Sequence, residues 1–258
     1  MNPSQKLRAI LFVSSIVITA VLVSICLLHG VRTLLAVIAS IFAVIASIFI
    51  IMAAKPYATA RRIYKERPPI KAYEEISGRD GYCRIGTLPQ SLLVAVRCAE
   101  DIHFYHHRGL EIDSLFRAVA RNLLTSKKPV GASTITQQTI KNVYLTPDAE
   151  MQRKLTELFM LRRMERELSK DQILELYLNV IYYGCGQYGI RNAARYYYGT
   201  TPEHLTFDQS LSLAAILPCP DKYNEAANPV FFNQRKRKVL SVLLSDPVFP
   251  LSEITFEP

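Results

Sequence analysis

No acidic residue occurs between Ala9 and Ala54, and Arg32 is the one strongly basic residue in that stretch. A bilayer span needs roughly 20 apolar residues, so the stretch has room for two. The natural division is Ala9–Leu28 and Thr33–Ala54, with His29-Gly30-Val31-Arg32 between them. Lys6 and Arg8 ahead of an apolar run also fit a secretory signal peptide, but the run exceeds the roughly 7–15 apolar residues of one. Other absences narrow the class further. Ten glycines and 14 prolines in 258 residues exclude collagen-like and low-complexity chains. Half of the residues are hydrophobic, which excludes disorder. There is no internal repeat, and period-2 alternation never lasts more than a few residues, so an extended sheet is not expected. The five cysteines, Cys26, Cys83, Cys98, Cys185 and Cys219, show no spacing that suggests a pairing.

The net charge of +9 comes from 31 Lys and Arg against 22 Asp and Glu. Lys6, Arg8, Arg32 and Lys55 supply four of those charges in a stretch without acids. Part of the high isoelectric point, near 9.3, is therefore a membrane-flanking pattern rather than a nucleic-acid footprint. Cations at Lys6 and Arg8, and again from Lys55 to Arg67, both favour the cytoplasmic side.

After the apolar stretch, residues 56–87 read as a basic, Pro- and Gly-containing connector, with a short strand or nothing at Tyr82–Ile85. From Leu88 the pattern is helical. Leu92, Val96 and Ala99 share a face in a helix ending near Asp101–Phe104, and Ile112–Leu124 and Ser133–Tyr144 make further helices. Ala149–Leu168 is a long amphipathic segment. Ser169-Lys170-Asp171-Gln172 is a capping box opening a helix that Gly184 and Gly186 close, and Ile190–Tyr198 and Asp208–Leu217 are helical.

Three segments carry chemistry. In Glu100-Asp101-Ile102-His103-Phe104-Tyr105-His106-His107-Arg108-Gly109, a carboxylate at a helix end among aromatic rings can have its pKa raised by desolvation, which suits a general acid or base. His103 and His107, four apart, share a helix face, but no carboxylate of a zinc-protease helix lies between them. In Gly131-Ala132-Ser133-Thr134-Ile135-Thr136-Gln137-Gln138, followed by Lys141-Asn142, a helix would align Ser133, Gln137 and Lys141 along one stripe. Such a stripe suits a polyhydroxylated, phosphorylated ligand, or is a solvated helix face. In Arg153-Lys154-Leu155-Thr156-Glu157 one helix turn carries two cations and a carboxylate, as an ordinary ion pair or as a phosphate-binding turn.

Taken in order, with Ile173-Leu174-Glu175-Leu176-Tyr177-Leu178-Asn179, Gly184 and Gly189 following, these segments resemble the peptidoglycan glycosyltransferases of family 51. The likeness runs from about Leu88 to Arg237. It implies a mainly α, lysozyme-like domain with a large lobe and a small membrane-associated jaw, preceded by one or two transmembrane helices. The implied layout is an anchor at 1–55, the connector, a glycosyltransferase domain at 88–245 and a tail at 246–258. The implied activity is polymerisation of lipid II by inverting glycosyl transfer, with release of undecaprenyl pyrophosphate. Glu100 would be the base, and Glu157 the second carboxylate near the departing pyrophosphate. Ser133, Thr134, Gln137, Gln138, Lys141, Asn142, Arg153 and Lys154 would bind substrate. Asp101, Phe104, His107 and Asn179 would support the site. No cofactor is required, and a divalent ion (Mg2+ or Mn2+) beside Glu157 is left open.

Glu111 and Glu225 stand where many members have Asp and Pro. No Ser-x-x-Lys occurs in a transpeptidase context, so a monofunctional transglycosylase is expected. Its partners would be lipid II, the growing strand and the membrane, with other cell-wall synthesis proteins open and no nucleic acid. Its place would be the bacterial cytoplasmic membrane with the domain on the outer face. One span with the N-terminus inside gives that; two spans give it only against Lys6 and Arg8. A lysozyme-like glycan-cleaving enzyme is the alternative, since paired carboxylates in an α fold also serve hydrolysis.

Overall fold

Hydrophobic residues on every side of a helix bury it or place it in lipid, and both kinds occur among the described residues. A computed structural model of the protein describes residues 3–110, 133–146, 150–223, 226 and 228–246. The chain divides between Ala54 and Lys55 into two units.

Helix α1 (Pro3–Glu66) accounts for the described part of the first unit. Its side chains from Ile16 to Met52 are largely apolar and exposed, among them Leu22, Phe42 and Ile51. It is the one helix among the described residues that is long and apolar enough to cross a membrane. One or two spans were expected, the second with a division at His29–Arg32, and the helix runs on through that division. Those residues are helical, and the Thr33 hydroxyl donates to the carbonyls of His29 (3.1 Å) and Gly30 (2.8 Å). The hydroxyls of Thr19, Ser40 and Ser47 turn back in the same way onto carbonyls four residues earlier. Polar groups satisfied within the helix do not interrupt it in an apolar medium.

In the second unit α2 (Pro69–Ser77) and a 3-10 turn (Ile85–Thr87) precede α3 (Gln90–Glu100). Then come α4 (Ile135–Tyr144), α5 (Glu150–Glu167), α6 (Lys170–Val180) and α7 (Ile190–Tyr198). After a second 3-10 turn (Pro202–His204) follow α8 (Phe207–Ile216), the short α9 (Pro220–Tyr223) and α10 (Pro229–Leu244). The unit is all-α: the one β-type pairing among the described residues is the bridge between Tyr182 and Tyr188. The strand considered at Tyr82–Ile85 is absent. The helix expected at Ile112–Leu124 and the tail from 247 onward lie outside the described residues, as do Gly131, Ala132, Glu111 and Glu225.

Helix α6 is the axis of this unit. Ile173, Leu174, Leu176, Tyr177 and Leu178 are fully buried, so the middle of the helix is enclosed on every side. Helix α4 packs on α6 and α5, and α3 packs between α8 and α10. Residues 56–87 do more than connect: Ala60, Tyr64, Ala72, Ile76 and Cys83 belong to the core, and α2 packs on α5 and α6. One buried carboxylate holds this segment. Glu175 on α6 accepts from Tyr73 (2.9 Å), from Arg84 (3.3 Å) and from the Ile85 amide (2.7 Å). One turn later Asn179 grips the Cys83 peptide from both sides, accepting from its N–H (2.8 Å) and donating to its carbonyl (2.9 Å).

The chain returns from α6 to α7 through Gly189, whose φ is +78°. A Cβ there would lie 2.6 Å from the Asn179 carbonyl oxygen. Left-handed strain and a backbone clash therefore act together, and Gly189→Ala should lower stability by about 2–4 kcal/mol. Urea unfolding of the detergent-held chain, followed by far-UV circular dichroism, checks this; an unchanged midpoint would contradict it.

Candidate active site

Helix α3 ends at Glu100 because Asp101 leaves helical geometry (φ −160°, ψ 78°). That end is fixed from several directions. Asp101 is buried, and both of its oxygens lie 2.9 Å from His107 Nε2. The Gly109 amide donates to His107 Nδ1 (3.1 Å), which assigns the ring hydrogen to Nε2, facing Asp101. Asp101 Oδ2 also accepts from the Ile135 amide at the start of α4 (3.1 Å), where a carboxylate meets the positive end of the helix dipole. Phe104, fully buried, stands edge-on to His107. Lys170 Nζ lies 4.4 Å from the centre of its ring.

Glu100 has one oxygen engaged and one not. Its Oε2 accepts from Gln138 Nε2 at 2.5 Å. Its Oε1 is buried and takes no hydrogen bond from any described residue. Burial pushes the carboxyl up to about 7, against the Gln138 hydrogen bond and the charge of Arg235, while Asp101 pushes it the same way as burial. A carboxyl poised near neutrality with a bare oxygen is suited to take a proton.

Helix α4 joins this group to the third segment. Thr134 caps it: its hydroxyl accepts from the Gln137 amide (3.2 Å) and donates to the Gly109 carbonyl (2.7 Å). The Gln137 side chain closes the capping box on the Thr134 amide (2.9 Å). Ser133 lies just before the cap, and its Oγ accepts from Lys154 Nζ (2.8 Å). On α5, fully buried Glu157 accepts from Arg153 (3.0 Å) through one oxygen and from Lys154 (2.8 Å) through the other. The two cations leave this turn with one net positive charge. Lys154 is partly exposed and retains a third N–H. Lys141 is exposed on α4, and neighbouring Asn142 donates to the Gln138 carbonyl (2.8 Å).

Residues 69–243 match the family described as Transglycosylase. The chain belongs to the transglycosylase family. It is 35% identical over 198 residues to penicillin-binding protein 1A of Neisseria lactamica, covering 74% of this chain and 25% of that protein. The Pseudomonas aeruginosa protein of the same name is 36% identical over 197 residues, 73% of this chain and 24% of the relative. Penicillin-binding protein 1F of Bacillus subtilis is 38% identical over 159 residues, 62% and 22%. The chain spans about a quarter of the length of these curated relatives.

This transglycosylase is an enzyme of the glycosyltransferase type, and its sequence-predicted residues fall into two sorts. Glu100 and Gln138 meet in one group, and Ser133, Arg153, Lys154 and Glu157 in another. Thr134, Gln137, Asp101, His107 and Asn179 instead hold backbone. The stripe expected through Ser133, Gln137 and Lys141 does not form, because the helix begins at Ile135 and Gln137 is buried in its cap. Both Glu157 oxygens are held by cations, and no group of three or more His, Cys, Asp and Glu gathers among the described residues. Those donors do not fit a resident Mg2+ or Mn2+ ion.

Two groups escaped the sequence reading. Glu175 was legible as a lone carboxylate inside an apolar run. Arg235 was not, since it sits in the basic run Arg235-Lys236-Arg237-Lys238 that reads as a solvated helix.

The raised carboxyl makes a pH-dependent stability claim. Glu100 goes from an ordinary 4.5 to about 7 on folding, so the folded state binds its proton more tightly than the unfolded one. Its ionisation costs nothing below about 4.5 and costs progressively more as pH rises through 7. Glu100→Gln should therefore raise the melting temperature by a few degrees at pH 8 and by less at pH 5. Thermal scans at both values check it, and equal gains would contradict it.

Proposed function

We propose that this transglycosylase polymerises lipid II into linear glycan strands on the outer face of the cytoplasmic membrane. The observation that carries the reading is Glu100, a buried carboxyl near neutrality with one oxygen fixed by Gln138 and the other bare. In this reading the acceptor's 4-hydroxyl gives its proton to Glu100 Oε1 while its oxygen attacks the anomeric carbon of the growing strand. The bond from that carbon to the pyrophosphate oxygen breaks, and the centre inverts from α to β. Inversion needs base and leaving group on opposite faces of the sugar and no covalent glycosyl-enzyme.

The departing undecaprenyl pyrophosphate carries developing negative charge, which fixed cations stabilise best where water is excluded. Lys154 and Arg153 are held ready for this by Glu157, and Lys141 supplies a cation from α4. Ser133, set by Lys154, and Asn142 offer hydrogen bonds to sugar or phosphate. Thr134 and Gln137 act by shaping the turn that presents Ser133. The second unit corresponds to the lysozyme-like domain, large lobe and membrane-associated jaw, of the family the sequence resembles. A single crossing by α1, with Lys6 and Arg8 inside, brings that domain to the side where lipid II is presented. The cations from Lys55 to Arg67 then lie outside against the usual bias, with Arg67 neutralised by Glu75 (2.7 Å).

The test is incubation of the full chain in detergent with lipid II, with strands separated by length. The wild type should make long strands. Glu100→Gln should lose roughly 10²–10⁴-fold in rate, and Glu157→Gln and Lys141→Ala should be severely impaired. Undiminished polymerisation by Glu100→Gln would contradict the base assignment. Release of sugars from finished glycan would favour the glycan-cleaving alternative.

A further inference from the structure

The segment that carries Glu100 is gripped from behind by α10, and the grip uses charge. Arg97 on α3 is paired with Asp246, just past α10, at 2.5 Å. Two residues later on α3, Arg235 reaches from α10 and donates an Nη2 hydrogen to the Ala99 carbonyl (2.8 Å). Ala99 is the residue before Glu100. The Nε of Arg235 is buried and takes no partner among the described residues, and so is Glu100 Oε1. A guanidinium with an idle buried donor costs desolvation that one carbonyl bond does not offset. Arg235 is half-buried, and from its bond to the residue before Glu100 its charge acts in favour of the ionised carboxyl.

We propose that Arg235 is a positioning residue for the catalytic base: its guanidinium anchors the last turn of α3 and favours the ionised form of Glu100. The proposal rests on the reading of Glu100 as that base. The other groups around Glu100 do not do this work. Gln138 from α4 is neutral. Asp101, next in the chain, carries like charge and opposes ionisation. Tyr177 from α6 is fully buried, its hydroxyl has no partner among the described residues, and its own ionisation is pushed far up by burial and then by Glu100. Helix α8 meets α3 through Ser210 and Ser91, 3.4 Å apart. Its Asp208 is held by Lys236 (2.7 Å). Arg235 is thus a cation whose charge favours the ionised form of Glu100, and a charge beside a buried carboxyl is less screened than one between exposed groups.

The removal of Arg235 has a directional consequence. A base works only when deprotonated, and without the cation Glu100 holds its proton to higher pH. The acidic limb of kcat/KM for lipid II polymerisation, near pH 7 in the wild type, then moves upward in Arg235→Gln and in Arg235→Met. Arg235→Lys keeps the charge and keeps the limb, even where kcat falls through loss of the Ala99 bond. A residue that only braces the fold would lower the rate at every pH and leave the limb in place.

The full chain in detergent micelles is the material for both measurements. The first is the pH profile of strand synthesis for the wild type and the three variants. The second is the 13C carboxyl titration of Glu100 in glutamate-labelled protein, assigned by the signal that Glu100→Gln removes. The expected result is an upward move of limb and titration together for Gln and Met, and neither for Lys. An unmoved titration in Arg235→Gln overturns the proposal. So does loss of fold in both neutral variants by circular dichroism, since the guanidinium would then serve the fold rather than the base. The two failures are distinguishable: a titration that moves while Glu100→Gln polymerises normally leaves Arg235 acting on Glu100 and removes Glu100 from the chemistry.

Discussion

The carboxylate of Asp101 is the constraint on which the rest of the site depends. It is buried, ends α3, meets the His107 ring through both oxygens and takes the first amide of α4. A buried charge is tolerable only when its lone pairs are filled by well-placed donors, and here each donor comes from a different part of the chain. His107 closes the loop of the first motif and Ile135 opens the second. Because His107 is itself fixed by the Gly109 amide, whose carbonyl neighbour receives the Thr134 hydroxyl, the contacts form a closed circuit. Glu100 then has no freedom to drift: its own helix stops beside it, and its neighbour is tied to the helix that carries Gln138.

Helix α4 distributes this constraint. From its start it reaches Asp101 and Gly109, from its middle Glu100, and through Ser133 the Lys154–Glu157 turn on α5. Its Thr136 also reaches Glu165, which Lys170 at the start of α6 neutralises. Three segments far apart in sequence thus meet on one short helix, whose capping residues are also motif residues. Among the described residues the arrangement leaves Glu100 Oε1 as a buried acceptor without a donor, a stability cost that a fold with no task for it would remove.

Local signals made much of this legible. The capping box at Ser169–Gln172, the helix at Ile190–Tyr198 and the helical stretch after Leu88 follow from caps and 3.6-residue periodicity, which depend on near neighbours. Ser133 misled because stripe arithmetic assumes that the helix includes it, whereas Thr134 is the better cap and starts the helix two residues later. At His29–Arg32, where the apolar stretch divides in sequence, the helix continues because Thr33 satisfies both carbonyls within it. Arg235 was illegible because which cation in a run of four turns toward Ala99 depends on how α10 rotates against α3, and no local pattern encodes that rotation. The same holds for the core residues between 56 and 87, which a basic, proline-containing composition disguises as linker.

The claim that Asp101 sets the geometry of the base is tested most directly by Asp101→Asn. Both partners of the Asp101 carboxylate are donors, so the amide can face one with its oxygen while its NH2 group meets the other. The initial rate of strand synthesis from lipid II, measured at saturating substrate on protein shown to be folded, should fall by roughly 10²-fold, the scale expected when a catalytic group is displaced by about 1 Å. A wild-type rate in that folded variant would contradict the account.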